Sequence, residues 1–204
     1  HCLDALIERL LDLCPDHVSS DGSDRSRLTK DQAERAVSFA REAGILTSAG
    51  ESWQDFRDKN PDLHYGTEHA VEYDPIARSV AKLTKPPGFG LIPTVVSHRR
   101  INLRNDPGIP EFRRCIEFVR ATPLEYLTRW RLSNDVFGDS VELIQVIEWS
   151  DGDVSFAVRQ PQYHGEPAND REIERFFRES GWSSIPDPER EHELFFNYAF
   201  NVLA

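Results

Sequence analysis

The stretch EHAVEYDPIARSVAKL at residues 68–83 predicts the fold, because two runs that roughly alternate apolar and polar residues flank a turn. Such alternation is typical of half-buried strands. The turn at residues 74–77 places Pro75 directly after Asp74, a pair that favours reversal of the chain. The stretch therefore predicts a β-hairpin with a four-residue connection.

A second hairpin is predicted further along the chain. The runs VELIQVIEW at 141–149 and DVSFAVRQ at 153–160 predict two strands, and the connection Ser-Asp-Gly at 150–152 is a strong hairpin signal. Pro161 then ends the pairing, because it has no backbone N–H to donate.

A helix is predicted between the two hairpins. Thr122 is a typical N-cap, Pro123 suits the first helical position, and Glu125 can complete a capping box; the helix extends to about Asn134. A hairpin, a helix and a second hairpin predict an α+β fold, with a small antiparallel sheet and one helix packed against it.

The N-terminal part of the chain is predicted to be helical. Residues 3–13 have apolar positions at helical spacing, residues 19–27 are a polar linker, and a second helix begins with a capping box at Thr29 and ends at Gly44. A third short helix is predicted at 51–59. We therefore predict a helical unit at residues 1–60, suited to packing or to a protein partner, and a second domain at residues 64–204.

Three other segments complete the prediction. Residues 85–110 hold eight prolines and glycines and predict a long irregular loop. A capping box at Asn169 predicts a helix that ends near Gly181, and the aromatic tail at 193–204 predicts strands.

The charge balance excludes some classes of partner. The 204-residue chain has a net charge of −11, so no nucleic-acid partner is expected. Residues 97–131 are locally basic, with eight Arg against four acidic residues, which fits either a salt-bridged surface or a local anion site. No apolar run reaches the length of a membrane span.

The three cysteines and seven histidines predict neither disulfides nor a metal site. The Cys count is odd without CxxC or CxxH spacing, and no two His residues lie at helical spacing. A reducing cytoplasm is the compartment that this composition favours.

Lys82 is the residue most open to a chemical role. It lies in the apolar strand segment VAKL at 80–83. A Lys there either faces solvent or is desolvated and meets an anion. The sequence alone leaves both readings open.

Several motifs together resemble a known family. They are GTEHAVEYD at 66–74, VAKLT at 80–84, TPLEYLTRWRLSNDVFGD at 122–139, QPQYHG at 160–165 and the run EIERFFRESGW at 172–182. In this order they resemble the Ser/Thr/Tyr kinase-like domain of bacterial polyvalent proteins of mobile elements. The resemblance covers about residues 64–204 and implies a kinase small lobe, ATP with Mg²⁺ as cofactor, and phosphoryl transfer.

The resemblance also implies roles for individual residues. Lys82 would contact the phosphates of ATP, with Glu125 as its carboxylate partner and Glu117 in reserve. Gly66, Thr67 and Glu68 stand where a glycine-rich loop would cover the phosphates. The segment Gln160, Pro161, Gln162 and Tyr163 stands where a hinge would bind adenine through its backbone.

Two features depart from the family pattern. The residues HRRI at 98–101 with Asn105 mimic a catalytic loop, but Arg100 stands at the base position and cannot accept a proton. The resemblance implies that the catalytic Asp would follow Ala204. Because the chain contains no Met, we expect either an internal fragment or a sequence from which modified Met positions are missing.

Three functions remain open from the sequence. The chain is the nucleotide-binding part of a kinase-like enzyme, a pseudokinase without turnover, or a non-catalytic structural or interaction domain in which Lys82 is incidental.

Overall fold

The computed structural model describes residues 2–13, 22–100, 111–185, 194–199 and 202–203. The helices are α1 (Cys2–Leu11), α2 (Gly22–Ala43), α3 (Trp53–Lys59), α4 (Pro123–Phe137) and α5 (Asp170–Glu179). The strands are β1 (Leu46–Ser48), β2 (His64–Tyr65), β3 (His69–Asp74), β4 (Ser79–Thr84), β5 (Leu91–Arg100), β6 (Glu111–Arg120), β7 (Glu142–Glu148), β8 (Val154–Pro161), β9 (Ser183–Ile185), β10 (Leu194–Asn197) and β11 (Val202–Leu203). The mixed α+β class predicted from the sequence is confirmed.

The chain divides into two compact units. The first comprises His1–Ile92 with Arg120–Gln162, and the second comprises Pro93–Val119 with Tyr163–Ala204. These units do not follow the predicted boundary near residue 60, since α1 and α2 pack against α4 and β7 within the first unit. As domains, residues 1–60 and 64–204 stay a prediction.

A six-stranded sheet, in the order β1-β7-β8-β4-β3-β2, forms the centre of the first unit. Its strands pair antiparallel except β1, which pairs parallel with β7. Both predicted hairpins are present: β3 with β4, and β7 with β8. The turn between β3 and β4 is closed by Asp74, whose Oδ1 accepts from the backbone N–H groups of Ile76 and Ala77.

The two faces of this sheet bury different apolar clusters. On one face Phe156 and Val158 pack with Leu127 of α4 and with α1 and α2, and all three side chains are 0% exposed. On the other face Trp53 of α3 packs with Trp149 and Ala70. Burial on both faces makes the sheet the rigid support of this unit.

The helix α4 begins as predicted. The Thr122 hydroxyl accepts from the backbone N–H of Glu125, while the Glu125 carboxylate accepts from the backbone N–H of Thr122. Gly138 ends the helix at φ +70°, a conformation that favours glycine. The helix is therefore fixed at both ends.

The described residues of the second unit form two small sheets and one helix. Strands β5 and β6 pair with each other, and β10 pairs antiparallel with both β9 and β11. Helix α5 begins with the predicted capping box at Asn169. Its Phe177 ring stacks on Phe195 of β10 at a centroid distance of 4.3 Å.

Two predictions about local structure were wrong. Helix α2 begins at Gly22, inside the predicted linker, and the Thr29 hydroxyl donates to the Arg25 carbonyl within the helix instead of capping it. The predicted loop at 85–110 contains all of β5, because its prolines and glycines, except Pro93, lie outside the run from Leu91 to Arg100. Residues 101–110, which include part of the HRRI motif and Asn105, lie outside the described residues.

Candidate functional site

Strand pairing places Lys82 on the face of the sheet that α4 covers. Lys82 lies opposite Val71 on β3 and opposite Val158 on β8. Residues opposite each other in a sheet share a face, and Val158 is buried in the cluster that contains α4. The sequence did not decide whether Lys82 faces solvent or the interior of the protein. The structure places it on the interior face of the sheet.

The Lys82 ammonium lies against an aromatic ring of α4. Its Nζ is 4.9 Å from the centroid of the Trp130 ring, within the range of a cation–π contact. Burial lowers the pKa of Lys82, and the nearby positive charge of Arg129 lowers it further, while Asp139 and Glu68 oppose the shift. The side chain is thus a half-buried cation held against an indole.

Arg129 precedes Trp130 on α4 and holds Glu68, which directly precedes β3. Its Nη1 and Nη2 donate to the two carboxylate oxygens of Glu68 at 3.0 and 2.9 Å. The backbone N–H of Leu91 also donates to Glu68 Oε1, at 2.6 Å. Burial raises the pKa of Glu68, but these hydrogen bonds outweigh it and the pKa is lowered. Glu68 therefore remains ionised.

His69 and Tyr126 form a buried polar pair beside Lys82. His69 Nε2 lies 3.0 Å from the Tyr126 hydroxyl. Burial lowers the pKa of His69 to about 4; the charge of Glu68 opposes this, and Arg129, Lys82 and Lys85 add to it. Burial raises the pKa of Tyr126. Both side chains are neutral near pH 7, so the contact between them is a neutral hydrogen bond.

Glu125, the predicted partner of Lys82, lies in a different set of contacts. Arg25 of α2 donates to its two oxygens at 3.1 and 2.5 Å, and the backbone N–H of Thr122 donates to Oε2. No ion pair joins Glu125 to Lys82, both of which the structure describes. Its predicted catalytic role stays a prediction. Glu117, the reserve candidate, is exposed on β6.

Gly66, Thr67 and Glu68 connect β2 to β3. The Gly66 N–H donates to the His69 carbonyl at 2.9 Å, and the Gly66 carbonyl accepts from Lys85 Nζ at 2.5 Å. Thr67 and Glu68 line a pocket of ≈180 Å³. This segment is a short connection between two strands, and its role in covering phosphates stays a prediction.

The predicted hinge residues lie at the end of β8. Gln160 lies opposite Val80, two positions from Lys82 and on the same face of the sheet. The Gln162 N–H donates to the Arg78 carbonyl at 2.9 Å, and its buried side-chain oxygen has no hydrogen-bond partner. Tyr163 is the first residue of the second segment of the second unit and is 60% exposed. The structure thus brings Gln160 and Lys82 to one face of a single strand pair.

Sequence reasoning missed the residues that surround Lys82. Tyr126 and Trp130 lie four residues apart on a helix whose N-terminus was predicted, and this spacing puts them on one face. This i, i+4 spacing was the signal in the sequence that could have identified Trp130. The capping residue Glu125 does not belong to that pair.

Among known proteins, no family model, curated relative or solved structure matches this chain. Within the described ranges, no group of three His, Cys, Asp or Glu side chains could hold a metal ion. No helix in those ranges is both long and apolar enough to cross a membrane.

Proposed function

We propose that the first unit is a kinase-like nucleotide-binding unit in which Lys82 contacts the phosphates of ATP or ADP. One observation carries the proposal: a half-buried ammonium lies on the interior face of the sheet, against Trp130, with no carboxylate bonded to it among the described residues. A desolvated cation gains free energy when an anion approaches it.

The order of elements supports this proposal. Lys82 lies on the third of three consecutive antiparallel strands, and the next element of the same unit is the helix α4, followed by the hairpin of β7 and β8. Strand β8 pairs directly with the strand of Lys82. A kinase small lobe requires a Lys on its third strand and a helix beside it.

The position of Gln160 supports the proposed orientation of the nucleotide. Gln160 lies on the same face as Lys82 and close to the end of β8, where the chain leaves the sheet. Phosphates at Lys82 would leave the base directed toward Gln160 and Gln162. Backbone groups of this segment would then hydrogen-bond the adenine base, as the resemblance implies.

The proposal covers binding of the nucleotide and no step of phosphoryl transfer. Lys82 fits a phosphate oxygen, but the described residues offer no set of three ligands for Mg²⁺. A cation supplied with ATP would partly neutralise the phosphate charges. An ATP-rich cytoplasm is the compartment that we propose.

Binding is tested by calorimetric titration of the full chain with ADP and with ATP plus Mg²⁺. We expect saturable binding, weakened about tenfold or more in Lys82→Ala, because a charged phosphate contact is lost. Lys30→Ala is the matched control, since Lys30 is exposed on α2 and pairs with Glu34. Circular dichroism verifies that both variants fold.

Two results would overturn the proposal. The first is absence of binding by the wild-type chain at millimolar nucleotide, which would favour a non-catalytic interaction domain. The second is equal affinity of wild type and Lys82→Ala, which would remove the phosphate contact from Lys82.

A further inference from the structure

A small pocket lies beside the turn that precedes β3, in the first unit. Its lining includes Thr67, Glu68, Lys85, Gly88 and Arg120, and its volume is ≈180 Å³. Drug-sized ligands occupy pockets of about 300 Å³ or more. The size therefore suits one small group rather than a whole nucleotide.

The backbone around this pocket is held by hydrogen bonds. The Lys85 N–H donates to the Glu68 carbonyl at 3.1 Å, and the Gly88 N–H donates to the Lys85 carbonyl at 3.2 Å. The Ala121 N–H donates to the Gly90 carbonyl at 2.9 Å, which joins the loop to the end of β6. The walls are therefore part of the folded unit rather than a free loop.

The charges of the pocket leave a positive excess. Both oxygens of Glu68 accept hydrogen bonds from Arg129, so the carboxylate is neutralised within the fold. Lys85 and Arg120 also line the pocket. Two cations and one already paired carboxylate line this pocket, in a chain of net charge −11, and this balance favours an anion locally.

Donor groups point to the same ligand. Lys85 Nζ donates to the Gly66 carbonyl, which leaves two of its three N–H groups for a ligand. The Arg120 carbonyl accepts from Arg25 Nη2 at 2.8 Å, which fixes the backbone that carries the Arg120 guanidinium. Thr67, which also lines the pocket, has a hydroxyl that can serve as a neutral donor.

We propose that this pocket binds one tetrahedral oxyanion of the phosphate type, through Lys85, Arg120 and Thr67. Arg and Lys together with a hydroxyl are the side chains that bind phosphate oxygens in proteins. The proposal does not rest on the nucleotide proposal, because Lys82 does not line this pocket. The effect of Lys85 on His69 supports a positive field at this position.

The test titrates the full chain with inorganic phosphate. Binding is monitored by the chemical shifts of the backbone amides in NMR spectra and by calorimetry. We expect saturable shifts of the Thr67, Gly88 and Leu91 amides. Lys85→Gln and Arg120→Gln should each weaken phosphate binding about tenfold, since each removes a charge-assisted contact. Lys30→Gln and Arg27→Gln on α2 are the matched controls and should bind as the wild type does.

A second arm titrates ADP to identify the source of the phosphate. If Lys85→Gln loses as much affinity for ADP as for inorganic phosphate, the pocket binds a phosphate of the nucleotide. If its affinity for ADP is unchanged, the pocket binds a free oxyanion. The proposal is overturned if phosphate shifts none of the pocket amides of the wild-type chain. It is also overturned if both pocket variants, shown by circular dichroism to be folded, bind phosphate with wild-type affinity.

Discussion

Arg129 and Glu68 lie 61 residues apart in the chain and form a two-pronged ion pair that joins helix α4 to the start of strand β3. Leu91 enters the same arrangement, because its N–H donates to Glu68 and its carbonyl accepts from Arg129. Three separate segments of the first unit thus meet at one carboxylate. The charges of both side chains also act on the pKa of Lys82, which Arg129 lowers and Glu68 raises.

Breaking this ion pair on one side should destabilise the protein. Arg129→Met leaves Glu68 charged without its partner, and we expect a loss of about 2 kcal/mol in the free energy of unfolding, since the side chains are partly exposed. Glu68→Gln keeps an acceptor for the Leu91 N–H and should cost less. Urea unfolding of both single variants and of the double variant measures the coupling. A double variant as unstable as the sum of the single losses would show that the pair contributes no coupling energy.

The buried His69 should make stability depend on pH. Burial lowers its pKa from the ordinary 6.5 to about 4 in the folded state, so the unfolded chain binds the proton more readily. Stability is therefore highest above pH 6.5, decreases as the pH falls, and levels off near the folded pKa. Between pH 7 and pH 5 we expect a loss of about 2 kcal/mol from this group.

Replacement of His69 by Gln identifies the source of that slope. Glutamine keeps a hydrogen-bonding group near Tyr126 but does not titrate, so His69→Gln should lose most of the decrease between pH 7 and pH 5. His64→Gln is the control, because His64 is exposed on β2. Urea titrations at several pH values provide the measurement. If His69→Gln keeps the wild-type slope, the pH dependence arises from other groups.

Gly90 should be more sensitive to substitution than its backbone angle alone explains. It has φ +84°, and a Cβ there would lie 3.0 Å from Glu68 Oε1 and 3.2 Å from Arg129 Nη2. Gly152 has φ +88° with nothing within 4 Å of its Cβ position. Gly152→Ala therefore measures the backbone strain, of about 1 kcal/mol. Gly90→Ala should cost clearly more in thermal unfolding, and equal losses would mean that the ion pair moves aside freely.

The sequence predicts the parts of the fold that rest on local signals. The capping box of Thr122 and Glu125, the turn after Asp74 and the alternation around Lys82 each act within a few residues, and the structure contains all three. The start of α2 was missed because a helix needs no cap when tertiary packing supports it. Buried Gln32, whose Oε1 accepts from the Leu124 N–H, belongs to such packing.

The surroundings of Lys82 depend on contacts between distant segments. Glu125 was assigned to Lys82 because its carboxylate follows the strand on the next predicted helix. The structure adds a contact that the sequence does not predict: Arg25, one hundred residues away in the chain, donates to that carboxylate. Such a contact has no local signal, because only the packing of α2 brings the two side chains together.

Lys82→Met should leave the protein as stable as the wild type or raise its stability by up to about 1 kcal/mol. Burial lowers the pKa of Lys82, so the ammonium is desolvated without full compensation, and Met keeps a flexible apolar chain and a sulfur contact with Trp130. Lys30→Met, on the exposed surface of α2, should change stability by less than about 0.5 kcal/mol. Thermal and urea unfolding of the three proteins compares them directly. A loss of more than about 2 kcal/mol in Lys82→Met would show that the ammonium has a structural contact.

A stable Lys82→Met chain that no longer binds nucleotide would instead separate the function of this lysine from its role in folding.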